Sequence, residues 1–257
     1  MSTYRLTLEY DGSAFSGWQR QPRARTVEGA LREALAVLSP DDPAVTAAGR
    51  TDAGAHAHGQ VAGVQLAREW EPERLRAALN ALLPDDVVVV HAASADAAFN
   101  ARRDALRRTY RYMVQQRDTR AAVTRRHAWQ VRGPLDVDAM RATARHLLGT
   151  HDFAGFGRAT RPGGSTVRTV HEVDVEPTLL GGPGETEVDV VVITVTADAF
   201  LRGMMRAFAG ALVEVGRGRM AIEHVAALVD SARSEPRLPV APAHGLHQWA
   251  VQYPVAA

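Results

Sequence analysis

The chain contains no cysteine and no lysine. The first absence removes disulfides, thiolate metal sites and thiol nucleophiles together, so any metal would have to be held by histidine and carboxylate. The second makes all 30 basic residues arginine, a bias that genomic base composition can produce by itself. Whatever its origin, every cationic side chain is a planar fork suited to phosphate and able to stack on bases. Long apolar runs are missing too. Nothing approaches the roughly 18 residues that span a bilayer, and the opening MSTYRLTLEY lacks the apolar stretch of a secretory signal. The expectation is a cytoplasmic protein with no membrane span. No P-loop and no dinucleotide fingerprint occurs either.

What is present suits a globular chain: 257 residues, 46% of them hydrophobic, with a formal net charge of +1. That is enough for one large domain or two joined ones. The even total conceals local bias. RRDALRRTYR, residues 102–111, carries five arginines against one aspartate. Such a run is either a solvated face or a phosphate-contacting patch.

Hydrophobic periodicity supplies the architecture. Residues 3–10 alternate as a strand does, and 26–38 place apolar residues at helical spacing behind Thr26, a suitable N-cap. Short strands at 44–48 and 60–66 follow, then a helix over 71–83 with Pro72 in its first turn and a valine-rich strand at 86–95. The second half repeats the order. A strand at 108–115 and a helix at 136–149 precede strands at 166–176 and 187–197, which are joined through the turn cluster GGPGE at 181–185. Helices over 199–216 and 221–232 and a strand at 245–253 complete it. The pattern predicts an α+β fold of two lobes, 1–105 and 106–257, sharing a split β-α-β pattern of the ferredoxin-like or RRM-like kind, with mainly antiparallel sheets flanked by helices. A cleft between the lobes is the natural active site.

The segment AGRTDAGAHAHGQ (48–60) interrupts this regularity. Gly49, Gly54 and Gly59 bracket a connection between strands and place Asp52 on a turn. A carboxylate there either caps its own turn or serves function from an exposed loop. His56 and His58 fall on one face if the segment is extended, and with Asp52 they form a weak metal candidate, since no further histidine–carboxylate cluster completes the set.

AGRTDAGAHAHGQV resembles the GRTDxGVHA signature of the tRNA pseudouridine synthase A family. The likeness extends through YDGSAFSGWQRQP (10–22), TVEGALREAL (26–35), FNARRDALRRTYRY (99–112), GTHDFAGF (149–156), AFLRGMMRAFAGALVEVGRG (199–218) and APAHGLHQWAVQYP (241–254), in family order. Ala55 stands where that family usually has valine, and Gln248 where an apolar strand residue is commoner. The resemblance implies isomerisation of uridine to pseudouridine at positions 38, 39 and/or 40 of the tRNA anticodon stem-loop. It implies no cofactor and no metal.

Residue by residue, the resemblance makes Asp52 the catalytic carboxylate, Arg206 the cation that keeps it ionised, and Tyr110 the aromatic that stacks on the target base. Arg50 then holds the displaced nucleotide, Leu246 lines the pocket, and Arg102 and Arg108 lead the arginines that contact the tRNA backbone. As bare features, Tyr110 and Leu246 read equally as core strand residues, and Arg206 as part of a helix face. The family also implies a homodimer. Two other classes stay open on the residues alone: a noncatalytic RNA-binding protein, and a metal-dependent hydrolase built on Asp52, His56 and His58.

Overall fold

Residues 1–39, 42–180, 188–229, 231 and 238–254 are described by the structure, a computed structural model. They fall into two units, Met1–Leu106 together with the chain from Gln248 onward, and Arg107–His247.

In the first unit, strand β1 (Ser2–Tyr10) pairs antiparallel with both β3 (His56–Leu66) and β4 (Val87–Ala95), while β2 (Val45–Ala47) pairs antiparallel with β3. The last strand, β10 (Leu246–Gln252), lies beside β3 and gives the order β4-β1-β3-β10. Alternation along β1 buries Tyr4, Leu6, Leu8 and Tyr10. They pack with Leu31 and Leu35 of helix α1 (Val27–Leu38) and Leu75 and Leu79 of α2 (Pro72–Asn80) in one core. Thr26 caps α1 as its sequence position suggests, its hydroxyl accepting the Gly29 N–H at 3.2 Å. Pro72 opens α2, and the Glu71 carboxylate accepts the Glu73 and Arg74 N–H groups. The helix ends before residue 83 because the Asn80 amide is tied to β4, donating to Val89 C=O and accepting the Val89 N–H.

In the second unit, β5 (Arg107–Gln116), β9 (Val188–Ala197), β8 (Val167–Leu180) and β7 (Gly149–Asp152) form an antiparallel run in that spatial order. Strand β6 (Trp129–Val131) joins β5 in parallel. The helices are α3 (Val137–Ala144), α4 (Met204–Gly216) and α5 (Ile222–Leu228). Phe153, Phe156 and Phe208 meet edge to face with centroids 5.0–6.1 Å apart, an aromatic centre for this core.

The α+β class and the mainly antiparallel sheets flanked by helices are as expected. Several boundaries move. Helix α4 starts at Met204 rather than 199, because Gly203 adopts a left-handed φ of +81° and Arg202 is drawn into a backbone bridge with Arg158. Helix α3 gives way to a single 3-10 turn at Arg145–Leu147. Helix α5 ends at Leu228, where Val229 is already extended. The 181–185 turn cluster lies outside the described residues. Among the described residues no helix is long and apolar enough to cross a membrane.

Candidate active site

Asp52 lies in the loop between β2 and β3, half-buried, and this loop is pinned from several directions. The turn closes through its backbone, Ala55 N–H donating to Asp52 C=O at 3.1 Å. The preceding Thr51 is buried, its hydroxyl 2.8 Å from that of Tyr10 and its carbonyl accepting the Trp18 N–H. The segment 10–18 therefore runs against the loop, and two glycines permit the approach. A β-carbon on Gly12 would stand 1.8 Å from Ala55 O, and one on Gly17, where φ is +89°, 2.6 Å from Thr51 O. The motif YDGSAFSGW and the motif around Asp52 are thus two sides of one clamp.

His56 belongs to the same clamp. Its ring is buried, and Nδ1 accepts the Gly12 N–H at 3.1 Å while lying 3.2 Å from Asp11 Oδ1. His58 does not share these surroundings. A bulge shifts the β1–β3 register between Leu8 and Tyr10, and the His58 side chain is 40% exposed against 2% for His56. It stacks on Trp249 at 4.5 Å, with Glu9 3.9 Å away. The ligand atoms of Asp52, His56 and His58 do not gather within 4.8 Å of one another, so the expected alternation does not produce that metal set.

The other end of the loop is held by glutamines. Gln60, fully buried, donates to Gly49 C=O at 2.9 Å and accepts the Val61 N–H at 3.1 Å. Gln248, equally buried, donates to Gln60 Oε1, whereas its own Oε1 has no hydrogen-bond partner among the described residues. Arg50 is exposed, as is Arg102, whose backbone N–H is bound by the Asn100 side chain.

In the second unit, candidate residues collect around the segment 241–246. Arg206, in the first turn of α4, donates from Nε to Ala241 C=O at 2.7 Å, and its own carbonyl accepts the Ala241 N–H. Tyr112 donates to Pro242 C=O at 2.7 Å. A β-carbon on Gly245 would lie 2.7 Å from the Tyr112 ring, and Leu246, buried, follows at once. Burial holds the Tyr112 hydroxyl well above the ordinary phenol range, with the Arg206 charge acting in the opposite direction. Tyr110, two residues along β5 on the same face, is 6% exposed and meets Phe200 edge-on at 4.7 Å. Arg108 shares that buried face and donates to Asp198 C=O at 2.6 Å.

Tyr112, Gln60 and Gly12 are the residues that sequence reasoning passed over, although all three lie inside the recognised blocks. A surface groove of about 490 Å³ runs along α1, lined by Arg25, Glu33 and Val37 among others, and includes no candidate site residue.

The tRNA pseudouridine synthase family model matches residues 7–103 and 143–254, stretches that contain Asp52, Arg50, Arg102, Arg206 and Leu246 but not Tyr110 or Arg108. The tRNA pseudouridine synthase A of Allorhizobium ampelinum is 41% identical over 99% of this chain and 96% of its own length. That of Methylorubrum populi is 41% identical over 98% of this chain and 99% of its own. With the family model matching residues 7–103 and 143–254 and nearly full-length relatives at this identity, the chain belongs to the tRNA pseudouridine synthase family.

Proposed function

We propose that this protein converts uridine to pseudouridine at one or more of positions 38, 39 and 40 of the tRNA anticodon stem-loop, with Asp52 as the catalytic carboxylate. The observation that carries the reading is the clamp on the Asp52 loop, formed by two of the motifs through which the chain resembles its relatives. The reaction breaks the bond between ribose C1′ and uracil N1, turns the freed base and rejoins C1′ to C5. The C5 hydrogen leaves as a proton and N1 gains one, so atoms and charge balance without a co-substrate. A carboxylate can serve by attack on the sugar, attack on the base or proton removal, and each route needs it ionised.

In this reading Arg206 supplies the positive charge that favours the ionised form. Its anchored Nε fixes the plane of the guanidinium. Tyr110, its ring edge-packed on Phe200, is the aromatic assigned to stack on the flipped base. Arg50 and Arg102, both exposed, contact phosphate. Leu246 lines the pocket. Arg108, anchored through its bond to Asp198 C=O, is assigned with Arg102 to the tRNA backbone. The same reading assigns the enzyme to the cytoplasm and to a homodimer.

Tritium release from tRNA labelled at uridine C5 tests the proposal. Wild type is expected to release it, and Asp52→Asn to fold and bind tRNA while turning over at least about a thousandfold more slowly, the scale of a lost acid–base group. No release by folded wild type supplied with bacterial tRNA would leave an RNA-binding protein instead.

A further inference from the structure

Tyr112 is buried beside the candidate residues of the second unit, and the proposed function gives it no role. It lies two residues beyond Tyr110 on the same face of β5, and its hydroxyl donates to Pro242 C=O at 2.7 Å. A phenylalanine would fill the same core space with no hydroxyl to satisfy. What the hydroxyl holds therefore separates a core residue from one that serves the site. Burial raises its pKa, so it stays a donor at any pH at which tRNA is assayed.

The hydroxyl holds one side of a strap. Residues 239–246 run between α4 and β5 and are fixed to both. Against α4, a β-carbon on Gly210 would stand 1.8 Å from Pro239 O, so helix and strap meet backbone to backbone. One helical turn earlier, Arg206 makes a closed pair with Ala241: its Nε donates to Ala241 C=O at 2.7 Å, and its carbonyl accepts the Ala241 N–H at 3.0 Å. Against β5, Tyr112 supplies two contacts, its hydroxyl on Pro242 C=O and its ring against Gly245, where an added β-carbon would come within 2.7 Å.

The bonds to Arg206 and Tyr112 fall on adjacent carbonyls. Between Ala241 C=O and Pro242 C=O stand a planar peptide link and a proline whose ring fixes φ, here at −55°. Only one rotatable backbone bond, ψ of Pro242, separates the two carbonyls. Tying the second in place thus leaves the first little freedom to turn. Arg206 has committed Nε to that first carbonyl, and its guanidinium is planar, so the direction of Ala241 C=O sets the plane in which the Nη groups lie.

We propose that Tyr112 is a positioning residue for the uridine isomerisation: its hydroxyl, acting through Pro242, fixes the carbonyl from which the Arg206 guanidinium is hung. The proposal rests on the isomerase reading, in which Arg206 supplies the charge that keeps the carboxylate ionised. Tyr112 has no contact with substrate in this role.

The test compares wild type, Tyr112→Phe, Arg206→Ala and the double variant in single-turnover tritium release and in tRNA binding. Tyr112→Phe keeps the ring and removes the bond. Release slows about tenfold, within the roughly hundredfold that a misplacement of about 1 Å can cost, while tRNA affinity stays within about twofold of wild type. In the Arg206→Ala background the same change slows release by less than about twofold, because residues acting through one group are not additive. Pro242→Ala, which keeps both carbonyls and frees φ, slows release less than Tyr112→Phe does and adds nothing to it. A residue that merely fills the core would slow both backgrounds equally, and that result, or a wild-type rate in Tyr112→Phe, overturns the proposal. A second readout needs no turnover. The Arg206 Nε–H, identified in ¹⁵N-arginine spectra by its absence from Arg206→Lys, exchanges with solvent about tenfold faster or more in Tyr112→Phe than in wild type. Unchanged exchange overturns the proposal. A wild type that binds tRNA without releasing tritium overturns the isomerase reading, and the exchange rates then test the link from Tyr112 to Arg206 by themselves.

Discussion

The Asp52 loop and the 241–246 segment solve the same problem with different materials. In the first unit the candidate carboxylate is positioned by backbone meeting backbone: Thr51, Asp52 and Ala55 against Gly12, Gly17 and Trp18. In the second unit, side chains hang from carbonyls: Arg206 on Ala241 and Tyr112 on Pro242. Aspartate is short, and its backbone has to stand in place before its carboxylate can. Arginine and tyrosine reach, so their heads can be steered by a bond at the far end. The first arrangement should tolerate no added atom, whereas the second should tolerate small shifts but not the loss of the reaching side chain.

The largest effect expected from that difference is at Arg206. Arg206→Ala should reduce turnover about a hundredfold or more, the scale seen when a preorganised electrostatic partner is removed, while tRNA affinity changes far less. Single-turnover rates beside equilibrium binding check it, and a pure binding defect would remove Arg206 from its assigned role. Gly12→Ala comes next. Its methyl would meet the Ala55 carbonyl, part of the backbone, and should cost about 1–3 kcal/mol in unfolding free energy, the usual range for overpacking, with a fall in kcat. Gly245→Ala meets the end of the Tyr112 ring instead, which can tilt. Its cost in the same denaturant titration should be smaller, and equal costs would break the distinction between the two regions.

The glutamines sharpen it further. Gln60→Leu strands Gly49 C=O, the Val61 N–H and the Gln248 amide, so it should destabilise by about 2–3 kcal/mol, the penalty of buried groups left unpaired. Gln248→Leu removes a side chain whose Oε1 already has no hydrogen-bond partner among the described residues, so its cost should stay within about 1 kcal/mol. Urea titration of both variants separates a glutamine that positions the loop from one that merely fills a strand position usually taken by an apolar residue.

These contrasts mark what could be read in advance. Thr26 and Pro72 announced their helices because capping and first-turn chemistry are local. The β1 alternation announced a one-sided strand. Asp52, Arg206 and Tyr110 were legible only through resemblance, because one carboxylate, one helix arginine and one strand tyrosine have no periodicity of their own. Gly203 hid the start of α4: its left-handed φ ends a pattern that stays apolar on both sides. The separation of His56 from His58 was hidden by a bulge, which depends on how Glu9 meets its partner strand and not on the spacing of the histidines. The pairing of β10 beside β3 joins residues nearly two hundred positions apart, as the Gln60–Gln248 bond does. No local window contains that information.

The smallest effect concerns His244, inside the segment that carries Arg206 and Tyr112. Burial lowers its pKa below the ordinary histidine value, the Ala128 backbone hydrogen bond works against that shift, and the nearby His127 adds to it. The unfolded chain takes up a proton near pH 6.5, the usual histidine value, and the folded chain does so only at lower pH. Between those two values the unfolded state binds more protons, so the second unit loses stability as pH falls through this window and recovers it above about 6.5. The melting temperature should therefore drop from pH 7 towards pH 5 by more in wild type than in His244→Gln, which cannot take up that proton. Because His244 immediately precedes Gly245 and Leu246, protonation there acts on the side-chain arrangement and not on the Asp52 clamp, so Gly12→Ala should shift the whole melting curve without changing its slope against pH. Parallel curves for wild type and His244→Gln would show that the acid sensitivity resides elsewhere.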